Sequence, residues 1–117
     1  MKIPNFYIED MLEAISLVQQ YLKNCTEEEF SRDKETQDAV IYRLMIIGEA
    51  ATKIPEEIKK QATDIPWRTI IGFRNVVIHN YAHVSMGRVW EICQTELPKL
   101  TKQLSNLLQR LPQVPKL

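Results

Sequence analysis

Apolar residues recur along this chain at helical rather than strand spacing, and that pattern limits the fold more than any other feature. Ile8, Leu12, Ile15, Val18 and Leu22 follow at steps of four, three, three and four, so they share one stripe of a helix. Val40, Leu44, Ile47, Ala51 and Ile54 form a second stripe, with Ile41, Met45 and Gly48 beside it. A helix apolar over so wide an arc is buried on more than one side. It is the central helix of a bundle or part of a dimer interface. Val89, Ile92, Leu97, Leu100, Leu104 and Leu108 make a last stripe. Gly is scarce, at 3, and the β-branched residues do not alternate, so a sheet is disfavoured.

Polar residues and prolines punctuate these stripes. Asn5 is expected to cap the first helix, which runs out near Asn24. In "TEEEF", Thr26 and Glu29 have the spacing of a capping box for a short helix. The second long helix should start between Ser31 and Asp33 and stop at Pro55. Pro55 can open the short helix "PEEIKKQA" as its first residue, and Pro66 the next long one. That helix carries Trp67, Ile70, Ile71, Phe73, Val77 and Ile78 and reads as buried. Ser85 can cap the last helix. Pro98 lies inside it, where a proline removes a backbone hydrogen bond at a cost of about 3 kcal/mol, so a kink is expected. "LPQVPKL", from about residue 111, reads as a frayed tail. The expected architecture is all-α, a four-helix up-and-down bundle with short extra helices, in one domain over residues 1–117.

Charge excludes some functions. Lys plus Arg equals 15 and Asp plus Glu equals 15, which argues against a general nucleic-acid coat protein but leaves room for a local basic site. A chain of 117 residues leaves much surface exposed, which favours self-association. Cys25 and Cys93 are far apart and have no CxxC partner, so they read as reduced thiols, neither a metal site nor a disulfide framework. The N-terminal "MKIPNFYIEDMLEAISLV" has acids within its apolar stretch, unlike a signal peptide, and no apolar run approaches membrane-spanning length. The expected setting is the cytoplasm.

One segment breaks the pattern. "GFRNVVIHNYAHV", Gly72 to Val84, crowds an Arg, two Asn, two His and a Tyr into an apolar helix. Arg74 and His79 are residue types that cleave RNA without a metal. An imidazole titrates near neutral pH and can exchange a proton with the 2′-oxygen or the leaving 5′-oxygen. A guanidinium is always charged and offers forked donors to a phosphate whose charge builds in the transition state. Asn75 can donate to phosphate or orient the imidazole. At about 100° per residue, Asn75 and His79 share a face, Arg74 and Tyr81 nearly eclipse, and His79 lies about 140° from Arg74. Either the helix distorts near His79, or two copies face each other and share a cleft holding two Arg and two His.

Each residue also has a plainer reading. Arg74 could be a structural cation paired with Glu49, an acid set among apolar residues in "IIGEAA". Asn75 could bond a neighbouring backbone, and His79 could be a satisfied interior histidine. The four-residue spacing of His79 and His83 can bind zinc on a helix, yet no third ligand follows at a fitting interval. His83 reads as a helix-end or loop residue, Tyr81 as a core-edge residue, and Trp67 and Trp90 as core anchors. "TEEEF" and "PEEIKK" read as solvated faces.

"RNVVIHNY", Arg74 to Tyr81, resembles the Arg-x4-His-x-Tyr motif of HepT-like proteins, ribonuclease toxins of the HEPN superfamily. The likeness extends to "KETQDAVIYRLMIIGEAA", "IPWRTIIGFRN" and "VWEICQTELPKL", four segments in order over most of the chain. The resemblance implies a HEPN-like helical fold and a homodimeric, metal-independent endoribonuclease acting on cellular RNA, with tRNA a candidate substrate. It implies that Arg74 and His79 are catalytic, that no cofactor is needed, and that Glu49 and Asn75 support the site. It further implies a toxin of a type VII-like toxin–antitoxin system, neutralised when an MntA-like nucleotidyltransferase antitoxin adds AMP to the Tyr81 hydroxyl. On a continuous helix such groups would sit beside Arg74, which Tyr81 nearly eclipses. The rival reading is a non-catalytic helical module that partners a nucleotidyltransferase or binds a nucleotide.

Overall fold

A computed structural model describes residues 3–114, and the regular elements among them are all helices, without strands. Four long segments make the bundle: α1 (Pro4–Tyr21), α3 (Lys34–Lys53), α5 (Trp67–Asn80), and a last run of α6 (Met86–Glu91), a π-turn (Ile92–Glu96) and α7 (Leu97–Arg110). The short helices α2 (Glu27–Arg32) and α4 (Glu56–Lys59) lie in the connections.

The punctuation works largely as the sequence suggests. Thr26 and Glu29 form both halves of a capping box, with bonds of 3.1 and 2.9 Å. The Asp33 carboxylate accepts from the Thr36 N–H and starts α3, and Ser85 caps α6 through the Arg88 N–H. Asn5 is different. Pro4 occupies the first turn of α1, Ile3 stands at the cap without a side-chain bond, and the Asn5 amide donates to the Pro112 carbonyl at 3.0 Å. A proline needs no acceptor for the N–H it lacks, so Asn5 is released to tie the two ends of the chain together. Leu111 is buried beside that tie, so the expected tail is anchored where it begins; residues 115–117 lie outside the described residues. Pro98 is accommodated by the π-turn just before it, where Leu97 N–H reaches back to Ile92.

Neighbouring segments run antiparallel. Tyr21 meets Arg43 while Tyr7 lies near Ala50, so α1 and α3 are opposed. Asn5 reaches Pro112 while Val18 and Leu22 face Cys93 and Pro98, so α1 and α7 are opposed. The core sits between α1, α3 and α7. Ile8, Met11, Ile15, Val18, Val40, Leu104 and Leu107 are at most 1% exposed, and burying each such side chain contributes about 1.5–3 kcal/mol as an upper estimate. α3 is buried on the wide arc its stripes require.

The fourth long helix departs from its reading. α5 packs on α3 and faces α7 across a groove of about 280 Å³ lined by Ile70, Phe73, Leu97 and Leu100. Val77 is its one buried residue, while Val76 and Ile78 are 49% and 46% exposed. Its apolar residues therefore do not all serve this chain's own core.

Candidate active site

The close crossing of α3 and α5 fixes Arg74. Gly48 is buried on α3 against α5, and a Cβ on Gly48 would lie 2.3 Å from the Arg74 Cβ. Only a residue without a side chain lets the helices meet there. The next residue, Glu49, accepts from the Arg74 Nε at 2.6 Å. Arg74 Nη1 donates to the Asn75 side-chain oxygen at 2.7 Å. The guanidinium is thus oriented from two sides, and among the described residues no further partner takes its remaining N–H groups. Arg74 and Glu49 keep 27% and 37% of their side chains exposed, so the pair is open to water and to an incoming anion. Glu49 is the partner the plainer reading named for Arg74, and the contact suits a structural or a positioning role equally.

His79 stands apart from this cluster. α5 remains an α-helix through Asn80, so the expected offset of about 140° between Arg74 and His79 applies. Relative to Val77, which points into the core, His79 lies about 160° around the helix, on the exposed side. Its imidazole makes no hydrogen bond among the described residues. Arg68, Gly72, Asn75 and Val76 share that side of α5. Gly72 has nothing within 4 Å of where a Cβ would be, so no contact within the chain requires glycine there.

The helix distorts one residue too late to help. Asn80 has φ −153° and ψ 42°, and Tyr81–His83 continue as a single 3-10 turn. This break removes two expected relationships. His83 no longer follows His79 on one helical face, and among the described residues no group of three or more His, Cys, Asp or Glu is arranged to hold a metal ion. Tyr81 no longer eclipses Arg74. Its hydroxyl donates to Asp38 on α3, and the Lys34 ammonium lies 5.2 Å from its ring centre. Asp38 and Glu49 are eleven positions apart on α3, roughly 16 Å at about 1.5 Å per residue. The Tyr81 and Arg74 polar ends therefore sit at separate places along the α3–α5 seam.

Asp38 shapes the electrostatics of the tyrosine end. Its carboxylate accepts from Tyr81 and pairs with Lys34 at 3.4 Å, and these two contacts hold its pKa below the ordinary carboxylate value. The same bond, helped by burial, pushes the Tyr81 hydroxyl up to about 12. Neither Asp38 nor Lys34 was singled out in the sequence. The available signal was that Asp38, Tyr42, Met45 and Glu49 fall within about 60° of one another on α3, an acid at each end of the stripe.

The other singled-out residues take their plainer roles. Trp67 donates to the Ala62 carbonyl at 3.0 Å, and the Trp90 ring lies 5.6 Å from Phe30. Cys25 and Cys93 are free thiols, and burial pushes Cys93 up to about 12. Among the described residues, no helix is long and apolar enough to cross a membrane.

Comparison with known proteins gives the family. Residues 11–107 match the family model described as "Ribonuclease HepT-like". The chain is 38% identical over 101 residues to "Probable ribonuclease HepT" of Thermococcus cleftensis, covering 86% of this chain and 92% of that one. It is 34% identical over 110 residues to a "Putative RNase" of Caldanaerobacter subterraneus subsp. tengcongensis, covering 94% and 98%. It is 36% identical over 105 residues to a "Gamma-glutamylcyclotransferase and putative RNase" of Methanocaldococcus jannaschii, covering 90% of this chain but 47% of that longer protein. No solved structure matches the chain at a significant level.

Proposed function

The chain belongs to the HepT-like ribonuclease family, and from that premise we propose that it is a metal-independent endoribonuclease whose site is completed by a second copy of the chain. The observation that carries the reading is the split on α5. Arg74 is oriented by Glu49 and Asn75 at the α3 seam, while His79, with no hydrogen-bond partner among the described residues, stands on the exposed side of the same helix. One chain cannot readily aim both at one phosphate. A second copy seated on the exposed side of α5 that carries Gly72, Val76 and His79 makes a cleft to which the two protomers together supply two Arg and two His.

In such a cleft, the RNA 2′-hydroxyl attacks the adjacent phosphorus and the 5′-oxygen leaves. His79 takes or returns the proton, since an imidazole serves as base when neutral and as acid when protonated. Arg74 stabilises the charge gathering on the phosphate oxygens, with its orientation already fixed by Glu49. Asn75, one turn before His79 and bonded to Arg74, links the two edges.

The proposed biological role is that of a toxin acting in the cytoplasm on cellular RNA, tRNA included, within a type VII-like toxin–antitoxin system. An MntA-like nucleotidyltransferase antitoxin silences it by adding AMP to Tyr81. The added charge and bulk arrive two residues along the chain from His79, at the Asp38 end of the α3–α5 seam, and not beside Arg74. The direct test is cleavage of total RNA by pure protein in chelator. Cleavage by wild type that is lost in His79→Ala supports the reading; equal cleavage by both, or by neither, overturns it.

A further inference from the structure

We propose that Asp38 is the proton acceptor for Tyr81 when that hydroxyl attacks the α-phosphorus of a nucleoside triphosphate. The inference rests on the reading that Tyr81 is the modified residue and adds to it a group on this chain that takes part in the step. The Tyr81 hydroxyl already donates to the Asp38 carboxylate, and both side chains are exposed, so an incoming nucleotide can reach the oxygen. Lys34, 3.4 Å from Asp38, keeps the carboxylate ionised and puts a cation where a phosphate would arrive. The titratable or charged groups that bear on Asp38 are this lysine from its own helix and Tyr81 from the 3-10 turn.

Tyr42 and Tyr21 lack the arrangement. Tyr42 is 50% exposed, more than Tyr81, yet no carboxylate accepts from its hydroxyl among the described residues. The Tyr21 oxygen accepts from Arg43 and is partly buried. A carboxylate bonded to a phenol also makes the free phenolate scarce, because it favours the protonated hydroxyl. Attack near neutral pH then requires that the proton leave as the new bond forms, and the group already in contact with that proton is Asp38. The step balances. The Tyr81 oxygen–phosphorus bond forms, the bond from the α-phosphorus to its bridging oxygen breaks, pyrophosphate departs, and the proton passes to the Asp38 oxygen. The nucleoside triphosphate and its divalent cation are supplied by the nucleotidyltransferase.

The same hydrogen bond could merely fasten the 3-10 turn to α3, and a pH profile separates the two roles. The probe is N-acetylimidazole, which acetylates tyrosine oxygens and needs no partner protein. Acetylation of Tyr81 is followed by peptide mass spectrometry from about pH 5 to pH 8, with Tyr42 as the internal reference. Attack by free phenolate climbs about tenfold per pH unit below the phenol pKa, and Tyr42 should follow that slope. With Asp38 as acceptor, Tyr81 reacts at a nearly constant rate across this window, and Asp38→Asn restores the tenfold climb. The proposal is overturned if wild-type Tyr81 climbs as Tyr42 does, or if Asp38→Asn leaves its profile unchanged. A bend near pH 6.5 also overturns it, because that assigns the proton to a histidine. Because no nucleotidyltransferase is used, failure here leaves the modification of Tyr81 standing. Conversely, an unmodified Tyr81 in cells removes that reading without touching the acetylation result.

Discussion

Arg74 and Tyr81 are tied to the same helix at opposite ends of a seam: the guanidinium to Glu49, the phenol to Asp38, eleven residues earlier on α3. On a continuous helix the two would nearly eclipse. The break at Asn80 separates them, and with it the phosphate-binding end from the control end of the proposed site. A group added to Tyr81 would stand at the Asp38 end of that seam, away from Arg74. Co-expression with an MntA-like nucleotidyltransferase should leave AMP on Tyr81 and none on Tyr42, read by mass spectrometry. Full neutralisation with Tyr81 unmodified would contradict the assignment.

Removing either proposed catalytic group should cost far more than removing the group that orients it. Arg74→Ala and His79→Ala are each expected to slow cleavage of a labelled RNA by about 10²–10⁴-fold, with helical content intact. Glu49→Gln keeps an acceptor for the Arg74 Nε and should slow cleavage by only about tenfold or less. Single-turnover rates in chelator decide this ordering. A loss in Glu49→Gln as large as in Arg74→Ala would mean that the pair acts as one unit.

Gly48→Ala tests the close crossing. The new methyl meets the Arg74 Cβ, an atom fixed to the backbone, so the helices must part. Overpacking of this kind costs roughly 1–3 kcal/mol, and thermal unfolding should show a lowered midpoint. Cleavage should fall as well, because the shift moves Arg74 from Glu49. An unchanged midpoint would place the crossing farther apart than described.

The tyrosine end has its own titration. Tyr81 keeps its proton up to about 12, so the bond to Asp38 favours the fold fully below the usual tyrosine value of 10 and ceases to do so as pH rises through about 12. At the acid end, the lowered carboxylate of Asp38 favours the fold above its unfolded value and loses that effect as pH falls through its folded value. Ultraviolet titration should show a late tyrosine ionisation, from Tyr81 near 12, that moves to lower pH in Asp38→Asn. A wild-type curve identical to that of Asp38→Asn would remove the bond.

Much of this molecule was legible in the chain, and the misses have physical causes. Thr26, Asp33 and Ser85 cap helices as their spacing indicates, because capping is local and depends on only a few residues. Asn5 was misread because Pro4 already satisfied the helix start, and its actual partner, Pro112, is distant in sequence. The α5 stripe was readable, but periodicity cannot distinguish a face packed in its own core from one left exposed, and Val76 and Ile78 are exposed. Arg74, Asn75, His79 and Tyr81 were visible as a motif. Asp38 was not, since its part depends on the backbone leaving the helix at Asn80.

The exposed side of α5 should be an interface. Val76→Asp changes the stability of a single chain by about 0.5 kcal/mol or less, because the side chain is half exposed there. It should nevertheless convert a dimer to monomers in sedimentation and abolish cleavage. A Val76→Asp protein that stays dimeric and active would place the interface elsewhere.

The most direct test of the shared site is to mix Arg74→Ala with His79→Ala after each has been shown to be inactive alone, and to let the subunits exchange. If each site takes its arginine from one protomer and its histidine from the other, every mixed dimer holds one intact site and one doubly damaged one. Statistical exchange then restores about a quarter of wild-type cleavage. If both residues serve within one chain, every site in the mixed dimer lacks one of them. Cleavage would then stay at the level of the separate variants, and the two-chain account would be contradicted.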